Sequence, residues 1–423
     1  MIIDKFINLL QNTRIKKFII YGFGQAINLI SPLLVTPFIV YKCGEAGLGR
    51  IGVSLSLMFI LIVIVDYGSY ILGVKEVAIN RDDKPKLQAI LTKIYVLKFF
   101  LLLFICLFMA TLIETIPYFE KEKALYFFSL FVLVGQFVNP GWFFQGIENF
   151  KWISITNITS KLIYIALVLL FVVGNADYVY VNFFLGIGAI IGNGIGILWI
   201  IKNYGVSKIH IDRQVVINTF KGDFRFCVSQ LFLSSRQYLP ILVVGYFCGN
   251  FIAGQYKIIE QIIMLFRTYL QMFFRFVYSS ICFEIDKNVA KGLQVWAKYN
   301  ILNFGIILSM VVMLFIFSES VLKFFKIDSL YVVSLGCLLR FSLIIPFLFS
   351  ISNPLEQLLF AFEKNNKYIT ITIFSTFLNM LLLLLLVKKH VLYGAIISIS
   401  VTEFILILAY YNVIKNNLKT KEI

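Results

Sequence analysis

Asn139–Thr156 reads NPGWFFQGIENFKWISIT, and the second half of that stretch returns later in the chain. NFKWISIT at Asn149–Thr156 matches NNKYITIT at Asn365–Thr372, and each copy follows an Asn-Pro pair, Asn139-Pro140 or Asn353-Pro354. The copies lie about half the chain apart, the mark of two similar halves. A second echo agrees: Tyr41 followed by Cys43-Gly44 and Gly49 matches Tyr246 followed by Cys248-Gly249 and Gly254, with the same internal spacing.

The composition fixes the solvent of these halves. Of 423 residues, 60% are apolar and only 14% charged, against roughly a quarter charged in soluble domains. Apolar runs of about twenty residues, long enough to cross a bilayer as helices, fill most of the chain. They centre near 18–41, 51–73, 89–113, 124–145, 154–173, 177–201, 222–247, 254–278, 299–322, 331–352, 368–387 and 391–413. The expected fold is therefore an all-α integral membrane protein of about twelve transmembrane helices, in two pseudo-symmetric six-helix lobes around a central cavity. The expected parts are an amphipathic segment at 1–17, a lobe at 18–202, a polar linker at 203–221, a second lobe at 222–414 and a basic tail at 415–423. An even number of spans per half makes the copies parallel, related by an axis along the membrane normal.

The formal charge of +16 does not point to nucleic acid, because the basic residues fall in short clusters between apolar runs. Those clusters set the orientation. Lys75, Arg81, Lys84 and Lys86, then Lys202, Lys208, Arg213 and Lys221, then Lys287, Lys291 and Lys298 all precede odd-numbered spans, which places these loops and both termini in the cytoplasm. Six cysteines without paired spacing read as packing residues, and no removable signal peptide is expected at the N-terminus.

Gly186, Gly188, Gly192, Gly194 and Gly196 imitate a nucleotide loop, but they lie inside an apolar span where close helix packing explains them better. Trp142, Phe143 and Phe144 beside Gln145 are candidates for stacking on sugar rings or for anchoring at the interface. In the two elbows, Asn-Pro should loosen the entering helix, Lys151 and Lys367 should hold the turn inside, and Trp152 and Tyr368 should anchor at the interface.

Charges inside the spans carry the functional signal, since each costs about 2.5–3.5 kcal/mol at the bilayer centre without a partner or a wet path. Arg236, Arg267 and Arg340 lie mid-span, as does Glu403; Glu260 lies outward of Arg267 on the eighth span, and Asp66 lies in the inner half of the second. Lys257, Glu260 and Arg267 are three and seven residues apart and share one helix face, expected to line a cavity. Three arginines exceed what Glu260 and Glu403 can neutralise, so an anionic ligand is expected, with arginine suited to bidentate phosphate contacts. Lys98 and Lys161 are expected to snorkel. No catalytic or metal-ligating set emerges, with His210 and His390 the only histidines.

The layout, the W-F-F-Q-G-x-E segment at Trp142–Glu148, the proline-containing first helix with Gly44 and Gly49 after it, and Asp66-x-Gly68 together resemble the bacterial O-antigen flippases, Wzx-type polysaccharide exporters. That family belongs to a superfamily shared with the multidrug and toxin extruders and the lipid II flippase. The resemblance implies translocation of an undecaprenyl-pyrophosphate-linked oligosaccharide across a bacterial inner membrane by alternating access. It implies no enzyme activity and no cofactor beyond a coupling proton or sodium ion. Membrane lipids, a polysaccharide polymerase and a chain-length regulator are the expected partners. Arg236, Arg267, Arg340 and Lys257 are then the substrate-binding candidates, and Asp66, Glu260 and Glu403 the ion-coupling ones. The competing readings are a cation-coupled multidrug extruder, which should have an acidic cavity, a membrane-embedded polymerase or ligase, which should carry large outer loops, and a non-transporting scaffold.

Overall fold

A computed structural model describes residues 13–205 and 213–421. The first twelve residues of the expected amphipathic segment, residues 206–212 of the expected linker and His210 lie outside them. Among the described residues there is no β-strand. The long helices are α1 (Thr13–Asp66), α2 (Lys84–Thr115), α3 (Lys123–Phe137), α4 (Gly141–Gly146), α5 (Phe150–Phe171), α6 (Tyr178–Tyr204), α7 (Arg213–Cys248), α8 (Asn250–Lys287), α9 (Val289–Ile316), α10 (Ser329–Ser342), α11 (Ile344–Ala361) and α12 (Asn365–Lys421), with short turns between some of them. Polar side chains mark several starts. Asp83 caps α2 by accepting from the Lys86 N–H, Asn288 caps α9 through Lys291, and Asp328 caps α10 through Leu330.

Nine stretches among the described residues are long and apolar enough to cross a membrane. Two of them contain a sharp break, at Gly44 in α1 and at Val391 in α12, and α8, which is not among the nine, spans 38 residues. Counting the two broken stretches twice and adding α8 matches, among the described residues, the layout of about twelve spans expected from the sequence. Apolar side chains confirm the solvent: on α2, Phe99, Phe100, Leu103, Phe104, Leu107 and Phe108 are exposed on one face while Leu97, Leu102, Ile105, Met109 and Ile113 are buried on the other.

The chain packs as two compact units. One takes Ser54–Ser234 with the chain up to Gly44, the other takes Glu45–Val53 with the chain from Ser235 onward. In the first unit, Met58, Val65, Ile105, Met109 and Leu133 form one core and Trp142, Phe143, Phe144, Leu87 and Ile200 another. In the second, Val277, Ile281, Leu358, Leu359 and Leu406 form the core. Four of the five glycines on α6 serve packing: a Cβ at Gly186 would strike Phe131, at Gly188 or Gly192 Ser160, and at Gly196 Thr156 and Pro140.

Both sequence echoes have counterparts in the backbone. Gly44 (φ 70°, ψ 174°) and Gly249 (φ 85°, ψ 171°) adopt the same left-handed kink, a conformation that glycine takes without penalty. Within the second unit the following helices then touch through the echo itself. A Cβ on Gly49 would lie 1.8 Å from the Asn250 carbonyl oxygen, and one on Gly254 would lie 1.9 Å from the Glu45 carbonyl oxygen. The contact is reciprocal.

The elbows also repeat, in a register one residue away from that read in the sequence. Glu148 (φ 56°) and Glu363 (φ 58°) are left-handed, and each closes the same paired hydrogen-bond turn. Asn149 N–H donates to Phe144 O at 2.8 Å and Lys364 N–H to Leu359 O at 2.8 Å. Helices α5 and α12 each begin two residues after that Glu, so the extra residue of the second copy falls in its first helical turn. Asn-Pro acts in only one copy: Pro140 separates α3 from α4, whereas Pro354 lies inside continuous α11. The aromatic run Trp142–Phe144 faces the core rather than a ligand or the interface. Trp142, Phe143 and Phe144 are fully buried, Trp152 packs on Phe144 and Trp199, and Tyr368 packs on Phe360 and Tyr410.

Candidate functional site

Helices α7, α8, α11 and α12 of the second unit surround a small cavity of about 40 Å³, lined by Arg236, Tyr256, Glu260, Arg267, Phe349 and Glu403 among others. Spacing on α8 explains part of this, since Glu260 and Arg267 lie two turns apart on one face. The structure thus brings together five of the seven residues singled out in the sequence: Arg236, Arg267, Glu260 and Glu403 line the cavity, and Lys257 reaches it through Glu260.

The charges are arranged in three ways. Arg236 Nη2 forms an ion pair with Glu403 Oε1, the two side chains being 15% and 4% exposed. Lys257 Nζ donates to Glu260 Oε2 at 2.7 Å, and the other Glu260 oxygen, Oε1, is buried with no hydrogen-bond partner. Arg267 has no carboxylate within ion-pair distance among the described residues; its guanidinium lies 4.9 Å from the centre of the Phe349 ring.

A third carboxylate, absent from the sequence reading, completes the cluster. Glu356 on α11 lies within electrostatic range of Arg236, Arg267 and Glu403, with the Tyr368 hydroxyl against it. It escaped notice because the tenth span was ended at residue 352, whereas α11 runs to Ala361. Counting Lys257, the cluster holds three cations and three carboxylates. The expected arginine surplus is therefore corrected to a balance, in which Arg267 is the guanidinium left without a direct anionic partner.

The remaining candidates lie elsewhere. Arg340 donates to Glu319 Oε1 at 3.0 Å and to the Phe315 carbonyl, away from the cavity lining. Asp66 belongs to the first unit, at the end of α1 where Tyr67 (φ 43°) and Gly68 (φ 81°) break the helix. Its two oxygens accept from Lys98 Nζ at 2.9 Å and Gln136 Nε2 at 2.7 Å. Lys98 is 1% exposed, so it does not snorkel; the break at Asp66 turns the carboxylate toward it. A second cavity holds Asp66, Lys98, Glu76, Lys93 and Asp223, all in the first unit.

The signature of the family described as Polysaccharide biosynthesis protein matches residues 15–278. The chain belongs to that family. Over 93% of its length it is 23% identical to a protein of Escherichia coli (strain K12) provisionally named an O-antigen transporter, covering 94% of that relative. A relative from Shigella dysenteriae with the same name is 23% identical over 94% of this chain and 98% of its own. Its fold is similar to that of an inward-facing multidrug resistance MATE family transporter (TM-score 0.75, 17% identity, covering 94% of this chain and 96% of that one). It is equally similar to the lipid II flippase MurJ (TM-score 0.74, 14% identity, covering 94% and 87%). This member of the polysaccharide biosynthesis family is thus a multi-pass membrane protein with the fold of that transporter superfamily, as the sequence resemblance implied.

Proposed function

We propose that the protein is a flippase that moves an undecaprenyl-pyrophosphate-linked O-antigen or polysaccharide repeat unit from the cytoplasmic to the periplasmic leaflet of a bacterial inner membrane, with both termini cytoplasmic. Arg267 carries the reading. A half-buried guanidinium facing a cavity without a contacting carboxylate keeps its donors free for a bidentate phosphate, and Arg236 on the neighbouring helix supplies a second fork. The names of the two curated relatives support the same substrate class. Lys257 and Glu260 offer a donor and an unfilled acceptor oxygen for sugar hydroxyls.

Transport proceeds by alternating access, the head group entering the polar cavity while the polyprenyl tail stays in lipid. Asp66, Glu260 and Glu403, each paired with a cation inside a span, are the carboxylates that couple a proton or sodium ion in this reading. A polysaccharide polymerase and a chain-length regulator receive the product. A cationic-drug extruder fits less well, since a bare arginine in the cavity repels a cation. Arg267→Ala removes no ion pair, so it should abolish surface polysaccharide at normal protein levels. Full retention with this variant and with Arg236→Ala would sink the reading.

A further inference from the structure

The balance of charge in the second unit sets a condition on any anionic cargo. A diphosphate entering a cluster of three cations and three carboxylates leaves it net negative in a low-dielectric site, where unbalanced charge is costly. Either the anion is rejected or a carboxylate gives up its charge. Glu403 is the carboxylate most directly in the way: it is 3% exposed and already occupies Arg236.

We propose that Glu403 is an internal stand-in for the anionic cargo, displaced from Arg236 by the diphosphate and then protonated from solvent. The inference rests on the flippase reading and deepens it. In the empty cavity Glu403 neutralises Arg236, so the carrier holds no uncompensated buried cation. When phosphate oxygens take over the guanidinium, the freed Glu403 carboxylate is buried without a cationic partner, a state relieved by taking one proton.

The surroundings of Glu403 offer no other cation in contact to which it could turn. Facing the cluster are Arg236 and Tyr238 from α7, and Tyr256, Lys257, Glu260 and Arg267 from α8. Glu356 faces it from α11, and Tyr368, Tyr410 and Glu403 itself come from α12. Lys257 is held by Glu260, and Arg267 is the guanidinium the incoming anion occupies first. Asn379, which lines the same cavity, donates through Nδ2 to Thr402 Oγ1 at 3.1 Å.

The experiment is calorimetric titration of the full-length protein in detergent with undecaprenyl diphosphate, in buffers of different ionisation enthalpy, for wild type, Glu403→Gln and Glu356→Gln. Wild type should take up about one more proton per ligand than Glu403→Gln; the ligand's own protons cancel in that comparison. Wild-type affinity should weaken by about tenfold per pH unit above neutrality, the slope of one linked proton, while Glu403→Gln should bind more tightly with a flatter profile. Glu356→Gln removes the other carboxylate facing Arg236 and Arg267 and so tests which group takes the proton: it should keep the wild-type proton count, and loss of the proton in this variant instead overturns the assignment to Glu403. Equal proton counts in wild type and Glu403→Gln, with binding intact, overturn the stand-in role alone. Failure of wild type and both variants to bind the diphosphate overturns the flippase reading and this inference with it.

Discussion

Replacing Arg236 by Met should leave Glu403 as a buried carboxylate without its counter-ion. Breaking a buried pair from one side costs about 3–5 kcal/mol, a large share of the roughly 5–15 kcal/mol that holds a typical protein folded. Arg236→Met should therefore unfold at markedly lower temperature, or at lower SDS mole fraction, in detergent micelles. The double variant Arg236→Met/Glu403→Met removes both charges and fills similar volume, so it should recover most of that loss. A double-mutant cycle should give a coupling of about 2 kcal/mol or more, the range for residues in direct ionic contact. Tryptophan fluorescence during unfolding reads the stability, and surface polysaccharide in cells reads the function. The stable double variant should still be inactive. A single variant that costs less than about 1 kcal/mol, or a double variant that costs the sum of both singles, would refute the pairing on which the site description depends.

Gly254→Val should force α8 away from the segment after Gly44, because the added Cβ meets a carbonyl oxygen of the backbone rather than a movable side chain; a loss of about 1–3 kcal/mol or more is expected in the same unfolding assay. Lys98→Met should destabilise the first unit by about 3–5 kcal/mol, and Asp66→Asn in the same chain should restore most of it; equal stability of the single variant and wild type would contradict the buried pair. Asp83 accepts the Lys86 N–H, which holds its carboxyl below the ordinary carboxylate range, so its contribution is present at neutral pH and is lost as pH falls through that lowered value. Asp83→Asn, which keeps the cap without the charge, should remove that acid-side decline from the unfolding temperature measured against pH.

Much of the fold was legible because the bilayer leaves so few solutions: apolar runs of spanning length become helices, and their number follows from counting. The Cys-Gly echo also read correctly, since Gly44 and Gly249 share a backbone conformation that few other residues adopt. The elbow echo misled by one residue, because letters aligned Asn149 with Asn365 while the turn geometry aligns Glu148 with Glu363. Burial of Trp142, Phe143 and Phe144 was hidden, as an aromatic run looks alike whether it faces core, lipid or ligand.

In the candidate site, helical spacing placed Glu260 and Arg267 on one face. It could not place Arg236 against Glu403, 167 residues away, or Lys98 against Asp66. Glu356 was missed for a narrower reason: Pro354 was read as the end of a span that in fact continues past it. That omission changed the sign of the argument, turning an apparent surplus of arginine into a charge-balanced cluster with one open guanidinium.

The central claim is tested most directly by reconstituting the purified protein in liposomes and following a fluorescent polyprenyl-diphosphate sugar beside a cationic dye. Movement of the lipid-linked sugar between leaflets, lost in Arg267→Ala and absent for the dye, is the predicted result. Movement of the dye alone would contradict the account.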